Sequence, residues 1–207
     1  MAVAGPEAAG ALSRLAFGLR VDADTVAQLE EGAWIRVGAD GLTVAGTRDV
    51  DAEAFLVIGS TDAVGALAKR LAETGAVEAT PGDWDTLRVE AGRPAFGVDM
   101  TDATIPVEAG IHDRAIDYDK GCYTGQEVIV RIRDRGHVNR HLRRLLLGEV
   151  ATPAPGTDLF PADGGEKAVG WITSAVRSPK EGGVVALAYV RRGTDRVKFG
   201  SEEVELG

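Results

Sequence analysis

The chain has 207 residues, 44% of them hydrophobic and 27% charged, which is enough apolar material to bury a core and too much for an intrinsically disordered segment. A net charge of −9 opposes general attraction to a phosphate backbone, no apolar run nears the ~18 residues of a membrane span, and residues 1–6 lack the pattern of a signal peptide. The single cysteine, Cys122, excludes an intrachain disulfide framework and fits a reducing compartment, so the protein is expected in the cytoplasm.

Gly5 and Pro6 open a helix predicted over 7–17, in which Ala8, Ala11, Leu12 and Leu15 fall at helical spacing. The runs 33–37 and 41–45, joined by a glycine-containing turn, read as a hairpin, and 54–59 reads as a buried strand. Thr61 is placed to cap the next helix, whose apolar face is Val64, Leu67, Ala68 and Leu71 and whose stop is Gly75. With short strands at 1–4 and 77–79, this order predicts a ferredoxin-like α/β layer. Pro81 and Gly82 precede a helix over 83–91, where Trp84, Leu87 and Ala91 share a face and Gly92 marks the end.

From 93 to 119, Pro94, Gly97, Pro106 and Gly110 interrupt every periodic pattern, and so long an irregular stretch predicts a binding rim. Thr124 followed by Glu127 has the form of a capping box, ahead of a short helix with Val128, Ile129 and Ile132 as its apolar stripe and Gly136 beyond its end. After residue 140, apolar runs at 142–147, 168–174, 184–189, 196–199 and 203–206 predict a small antiparallel barrel. The fold class is therefore α+β, an α/β layer followed by a C-terminal β-barrel.

Cys122 lies just ahead of a helix N-terminus and two residues from Lys120, a positive environment that favours the thiolate and suits a nucleophile, a redox group or a soft-metal ligand. The plainer reading of a lone cysteine is a small buried hydrophobe. Gly121 and Gly125 on either side permit a tight backbone approach that a packing residue does not need. Arg131, Arg133, Arg135, His137, Arg140, His141, Arg143 and Arg144 form a basic stretch, read either as a solvated face with a protected edge strand or as an anion-binding wall. Asp99, Asp102 and Glu108 read as surface acids. His137 and His141 lack a third ligand, so no metal site is predicted.

The run Lys120-Gly121-Cys122-Tyr123-Thr124-Gly125-Gln126-Glu127, followed by Arg131, resembles the K-G-C-Y-x-G-Q-E…R signature of YgfZ-type folate-binding proteins, a branch of the glycine cleavage T-protein (aminomethyltransferase) superfamily. Residues 5–8, Leu87-Arg88-Val89-Glu90-Ala91-Gly92, and 169–174 with Ser178-Pro179 agree with the wider superfamily in order and spacing. The resemblance implies an aminomethyltransferase-type folate-binding fold: residues 1–80 as its ferredoxin-like part, 81–139 as the folate-cavity segment with the KGCYTGQE motif, and 140–207 as the barrel. It also implies a further N-terminal region, ahead of the Gly-Pro stretch, that closes the cavity and carries the catalytic aspartate of the aminomethyltransferases.

By the same resemblance, tetrahydrofolate or a one-carbon derivative is the implied cofactor, with Glu90 accepting parallel hydrogen bonds from the pterin. Arg88 and Arg131 would face the folate carboxylates, Tyr123 and Gln126 would belong to the cofactor site, and Cys122 with Lys120 would carry the chemistry. Many YgfZ-type members lack the glutamate and the aminomethyltransferases lack the cysteine, so this sequence joins both signatures. The implied function is an accessory role in iron–sulfur cluster assembly or repair, with iron–sulfur client or assembly proteins as partners and an indirect link to tRNA modification. Direct contact with nucleic acid or membrane is not expected. The alternatives are an aminomethyltransferase-like one-carbon folate enzyme, and a half-protein that self-associates or pairs with a separate N-terminal chain.

Overall fold

A computed structural model describes residues 1–16, 20–37, 41–200 and 202–205. The chain divides into two units, Met1–Ala91 and Gly92–Gly207.

In the first unit, β1 (Ala2–Ala4) leads into α1 (Ala8–Leu15), whose Ala8 and Leu12 are buried as the spacing predicts, while Ala11 and Leu15 are half-buried and Ala9 is buried without having been expected. Phe17, the predicted last residue of that helix, lies outside the described residues. α2 (Ala23–Ala27) follows, capped by Asp22, whose carboxylate accepts the Thr25 N–H at 2.7 Å. β2 (Trp34–Val37), β3 (Leu42–Gly46) and β4 (Ala54–Ile58) join β1 in a sheet of order β1-β4-β3-β2, every neighbour antiparallel. Alternate residues of β3, among them Leu42 and Val44, are buried as period-2 geometry requires. They meet Leu12, Val26, Phe55 and Val57 in one core.

α3 (Thr61–Glu73) adds Leu67 and Leu71 to that core. Its cap is Ser60, whose hydroxyl accepts the Ala63 N–H at 3.3 Å, one residue before the expected Thr61. Gly75, at φ +95°, takes the left-handed conformation that ends the helix. The strand expected at 77–79 does not form: those residues have no partner strand, and Val77 is 90% exposed. They lead to α4 (Pro81–Glu90), which begins in a reciprocal box, the Thr80 N–H donating to Asp83 at 2.7 Å and the Asp83 N–H to the Thr80 hydroxyl at 3.2 Å.

The second unit opens with the irregular stretch anticipated for 93–119, broken by the one-turn α5 (His112–Ala115). Two acids predicted for the surface are buried there. Asp99 accepts hydrogen bonds from the Thr173 and Ser174 hydroxyls at 2.5 and 2.6 Å and from the Ala95 N–H at 2.9 Å. Glu108 accepts from Arg140 Nε at 3.0 Å, and its carbonyl accepts the Leu142 N–H at 2.7 Å. These bonds fasten the loop to the sheet, which a periodicity argument on a polar segment has no means of foreseeing.

After α6 (Gln126–Arg135) come β5 (Arg140–Gly148), β6 (Asp158–Pro161), β7 (Gly170–Ser178), β8 (Gly183–Arg191), β9 (Arg196–Phe199) and β10 (Glu202–Glu205). The predicted last strand residue, Leu206, is outside the described residues. The sheet order is β10-β9-β6-β7-β8-β5, antiparallel throughout. Within β6, Asp158 and Leu159 pair with β7 whereas Phe160 and Pro161 pair with β9. That change of partner bends the sheet, and β10 comes back towards β5 without pairing among the described residues. The result is a curled half-barrel where a closed barrel was expected, filled by Leu145, Leu147, Leu159, Ile172, Val184 and Val197. Central strand β8 is buried along its whole length except Arg191, which explains its unbroken apolar run. Among the described residues no helix is long and apolar enough to cross a membrane.

Candidate functional site

The residues singled out by sequence fall in both units. In the first, α4 is fixed at its start by the Thr80–Asp83 box and buries its last turn: Arg88 is 6% exposed, Val89 fully covered and Glu90 9% exposed. Arg88 Nε donates to Asp85 Oδ1 at 2.6 Å, so its charge is already engaged by a carboxylate one turn back. Glu90 thus carries its carboxyl group in the covered last turn of α4.

In the second unit the motif forms a turn before α6. The Tyr123 N–H donates to Gln126 Oε1 at 3.3 Å, and the Gln126 N–H donates back to the Tyr123 carbonyl at 3.3 Å. Gly125 occupies the N-cap position at φ +87°, a left-handed conformation that explains this glycine of the motif. The Thr124–Glu127 capping box does not form, because the N-cap lies one residue later and Glu127 turns instead to Arg131, whose Nη2 donates to it at 2.7 Å. Lys120 Nζ sits 4.6 Å from the centre of the Tyr123 ring. Cys122 is a free, exposed thiol, not the buried hydrophobe of the plainer reading. The structure thus gathers Lys120, Cys122, Tyr123 and Gln126 in one turn, leaves Arg131 exposed on the helix with Glu127, and places Glu90 and Arg88 in the first unit.

The apolar stripe expected on α6 divides: Ile129 is buried, Ile132 half-buried and Val128 exposed. The basic stretch that follows is mostly paired. Arg133 binds Asp134 at 2.6 Å, Arg140 binds Glu108 at 3.0 Å and Arg144 binds Glu181 at 2.6 Å. Arg140 also lies 5.0 Å from the Trp171 ring and 5.2 Å from the Tyr189 ring, two aromatics whose centres are 5.3 Å apart. Sequence reasoning missed this cluster; its signal was Gly170 beside Trp171, since a Cβ at Gly170 would stand 2.3 Å from the Tyr189 carbonyl. His141 is held below the usual histidine range, first by burial and then by the charges of Arg143 and Arg192, against a weaker pull from Glu108. Among the described residues no group of three or more His, Cys, Asp or Glu is arranged to hold a metal ion.

No protein-family model matches the chain. An aminomethyltransferase of Corynebacterium jeikeium is 31% identical over 93% of this chain and 53% of its own length. This chain is a homologue of the aminomethyltransferases. Those of Moorella thermoacetica and Rubrobacter xylanophilus are 36% and 39% identical, each over 59% of this chain and 32% of the relative. The chain therefore spans about half or less of these aminomethyltransferases. Among solved structures, the glycine cleavage system aminomethyltransferase T of Bartonella henselae superposes with a TM-score of 0.78, covering 99% of this chain and 56% of that one at 22% identity. At that identity the likeness is one of fold, and it places both units within an aminomethyltransferase-like architecture.

Proposed function

We propose that this chain binds tetrahydrofolate or a one-carbon derivative, with the Glu90 carboxylate holding the pterin edge. The observation that carries the reading is the burial of Glu90, 9% exposed at the end of α4, in a homologue of the aminomethyltransferases. A pterin offers an exocyclic amino group and a ring N–H side by side, the donor pair that an acceptor-only carboxylate takes best. By resemblance Arg88, which Asp85 holds at 2.6 Å, and the exposed Arg131 are the cations assigned to the folate carboxylates, and Tyr123 and Gln126 are assigned to the cofactor site. The four-stranded antiparallel sheet with helices α1 and α3 packed on it supports reading the first unit as the α/β layer of the fold. A one-carbon transfer of the aminomethyltransferase kind is the activity that the homology favours for the whole protein. Equilibrium dialysis of tetrahydrofolate against this chain tests the reading. Saturable binding is expected, weakened about tenfold or more by Glu90→Gln, the loss of one hydrogen bond to a charged group; equal affinity in the variant contradicts it.

A second reading rests on Cys122. Its thiol is exposed in a turn with Lys120, as a group that meets a partner protein requires. This supports a YgfZ-type accessory role in the cytoplasm, in which the thiol acts on iron–sulfur client or assembly proteins. One thiol cannot hold a cluster by itself, so the partner supplies the remaining ligands. In cells lacking the protein, Cys122→Ala is expected to lose rescue of iron–sulfur enzyme activity while keeping tetrahydrofolate binding. Full rescue by the variant removes this reading and leaves the folate site standing.

A further inference from the structure

The second unit holds a cavity of about 790 Å³ to which no residue of the 120–127 motif contributes. Its wall is basic. Lys167 comes from the loop between β6 and β7, Arg191 closes β8, Arg192 follows it, and Arg140 opens β5. Among the described lining residues Asp158 is the one carboxylate.

Lys167, Arg191 and Arg192 are each exposed, and two features bear on what their charges can do together. Arg140 and Arg191 are direct partners in the β5–β8 register, which sets two guanidinium-bearing side chains on one side of the sheet. Like charges in that relation repel. Glu108 offsets Arg140 at 3.0 Å, but among the described residues no carboxylate pairs with Lys167, Arg191 or Arg192. The second feature is that the backbone carrying Arg191 and Arg192 is held. The Arg191 N–H donates to the Val169 carbonyl at 2.8 Å and the Arg192 N–H to the Asn139 carbonyl at 2.9 Å. In a chain of net charge −9, three cations without carboxylate partners around one cavity invert the local field and concentrate anions there. The depressed protonation of neighbouring His141, to which Arg192 contributes after burial and Arg143, reports the same positive potential.

We propose that this cavity binds a small multivalent oxyanion, phosphate or carboxylate in class, on Lys167, Arg191 and Arg192. The volume suits an organic ligand of modest size as well as an inorganic ion. The site stands apart from the folate reading, which turns on Glu90 in the first unit.

Isothermal titration of the full chain with inorganic tripolyphosphate and, separately, with citrate tests the proposal. Saturable binding of at least one is expected, weakening as salt is raised because the attraction is screened. The double variant Lys167→Ser, Arg191→Ser is expected to bind about tenfold or more weakly, and Arg191→Lys, which keeps the charge, to lie between. Binding of tripolyphosphate alone assigns a phosphate ligand, and binding of citrate alone a polycarboxylate. Absence of saturable binding for both probes overturns the proposal, as does wild-type affinity in the double variant. Lys167→Ser alone, in an exposed loop, gives the same comparison should the double variant fold poorly.

Discussion

Asp99 is the residue at which physical context most changes a reading made from sequence. As one acid among 32 acidic residues it looks like solubilising surface, yet its carboxylate is buried beneath hydroxyls that lie 74 and 75 positions further along the chain. Contacts at that separation leave no mark in a local window. Asp99→Ala would remove the acceptor of the Ala95 N–H and the one shared by the Thr173 and Ser174 hydroxyls, while the Leu187 carbonyl at 3.1 Å remains for Thr173, and it is expected to cost about 1–3 kcal/mol for a group left without a partner. The urea midpoint measures this; a variant within experimental error of the wild type would show that water replaces the carboxylate at no cost. Gly125 is the opposite case. Its place in the motif was evident in sequence, and its φ of +87° supplies the physical reason that the motif only implied.

At the scale of elements, legibility followed length and apolar periodicity. α1 and α3 place buried residues at helical spacing and β8 is a continuous apolar run, and all three elements were found from sequence. α2 and β6 were passed over because they are five and four residues long, with Val26 and Leu159 as their buried members. The strand expected at 77–79 finds no partner among the described residues, and a strand needs one. β5 carries the pH dependence expected of this unit. Burial and then the Arg143 and Arg192 charges disfavour the protonated form of folded His141, whereas the unfolded chain protonates it near its ordinary value of 6.5. Below that pH the unfolded state binds more protons, so stability is unaffected at neutral pH and falls as pH drops through the window beneath 6.5. Thermal melts at pH 7.5 and 5.5 are expected to differ less in His141→Gln than in the wild type; equal pH slopes in the two would show that other groups set the acid dependence.

For the whole molecule, the α+β class was visible in the change from helical spacing to short apolar runs near residue 140, and the curled antiparallel sheet agrees with it. The basic wall of the half-barrel was less visible, because its cations come from β5, the end of β8 and the loop before β7, and only the fold collects them. Glu90 was singled out by its motif, and the fold buries it at the end of α4. A thermodynamic cycle isolates its role: tetrahydrofolate and an analogue lacking the pterin 2-amino donor are each titrated into the wild type and Glu90→Gln. If Glu90 holds the pterin edge, the two changes are coupled by about 1.5–3 kcal/mol, the range of a hydrogen bond to a charged group. Strictly additive losses would place the pterin elsewhere and contradict the assignment.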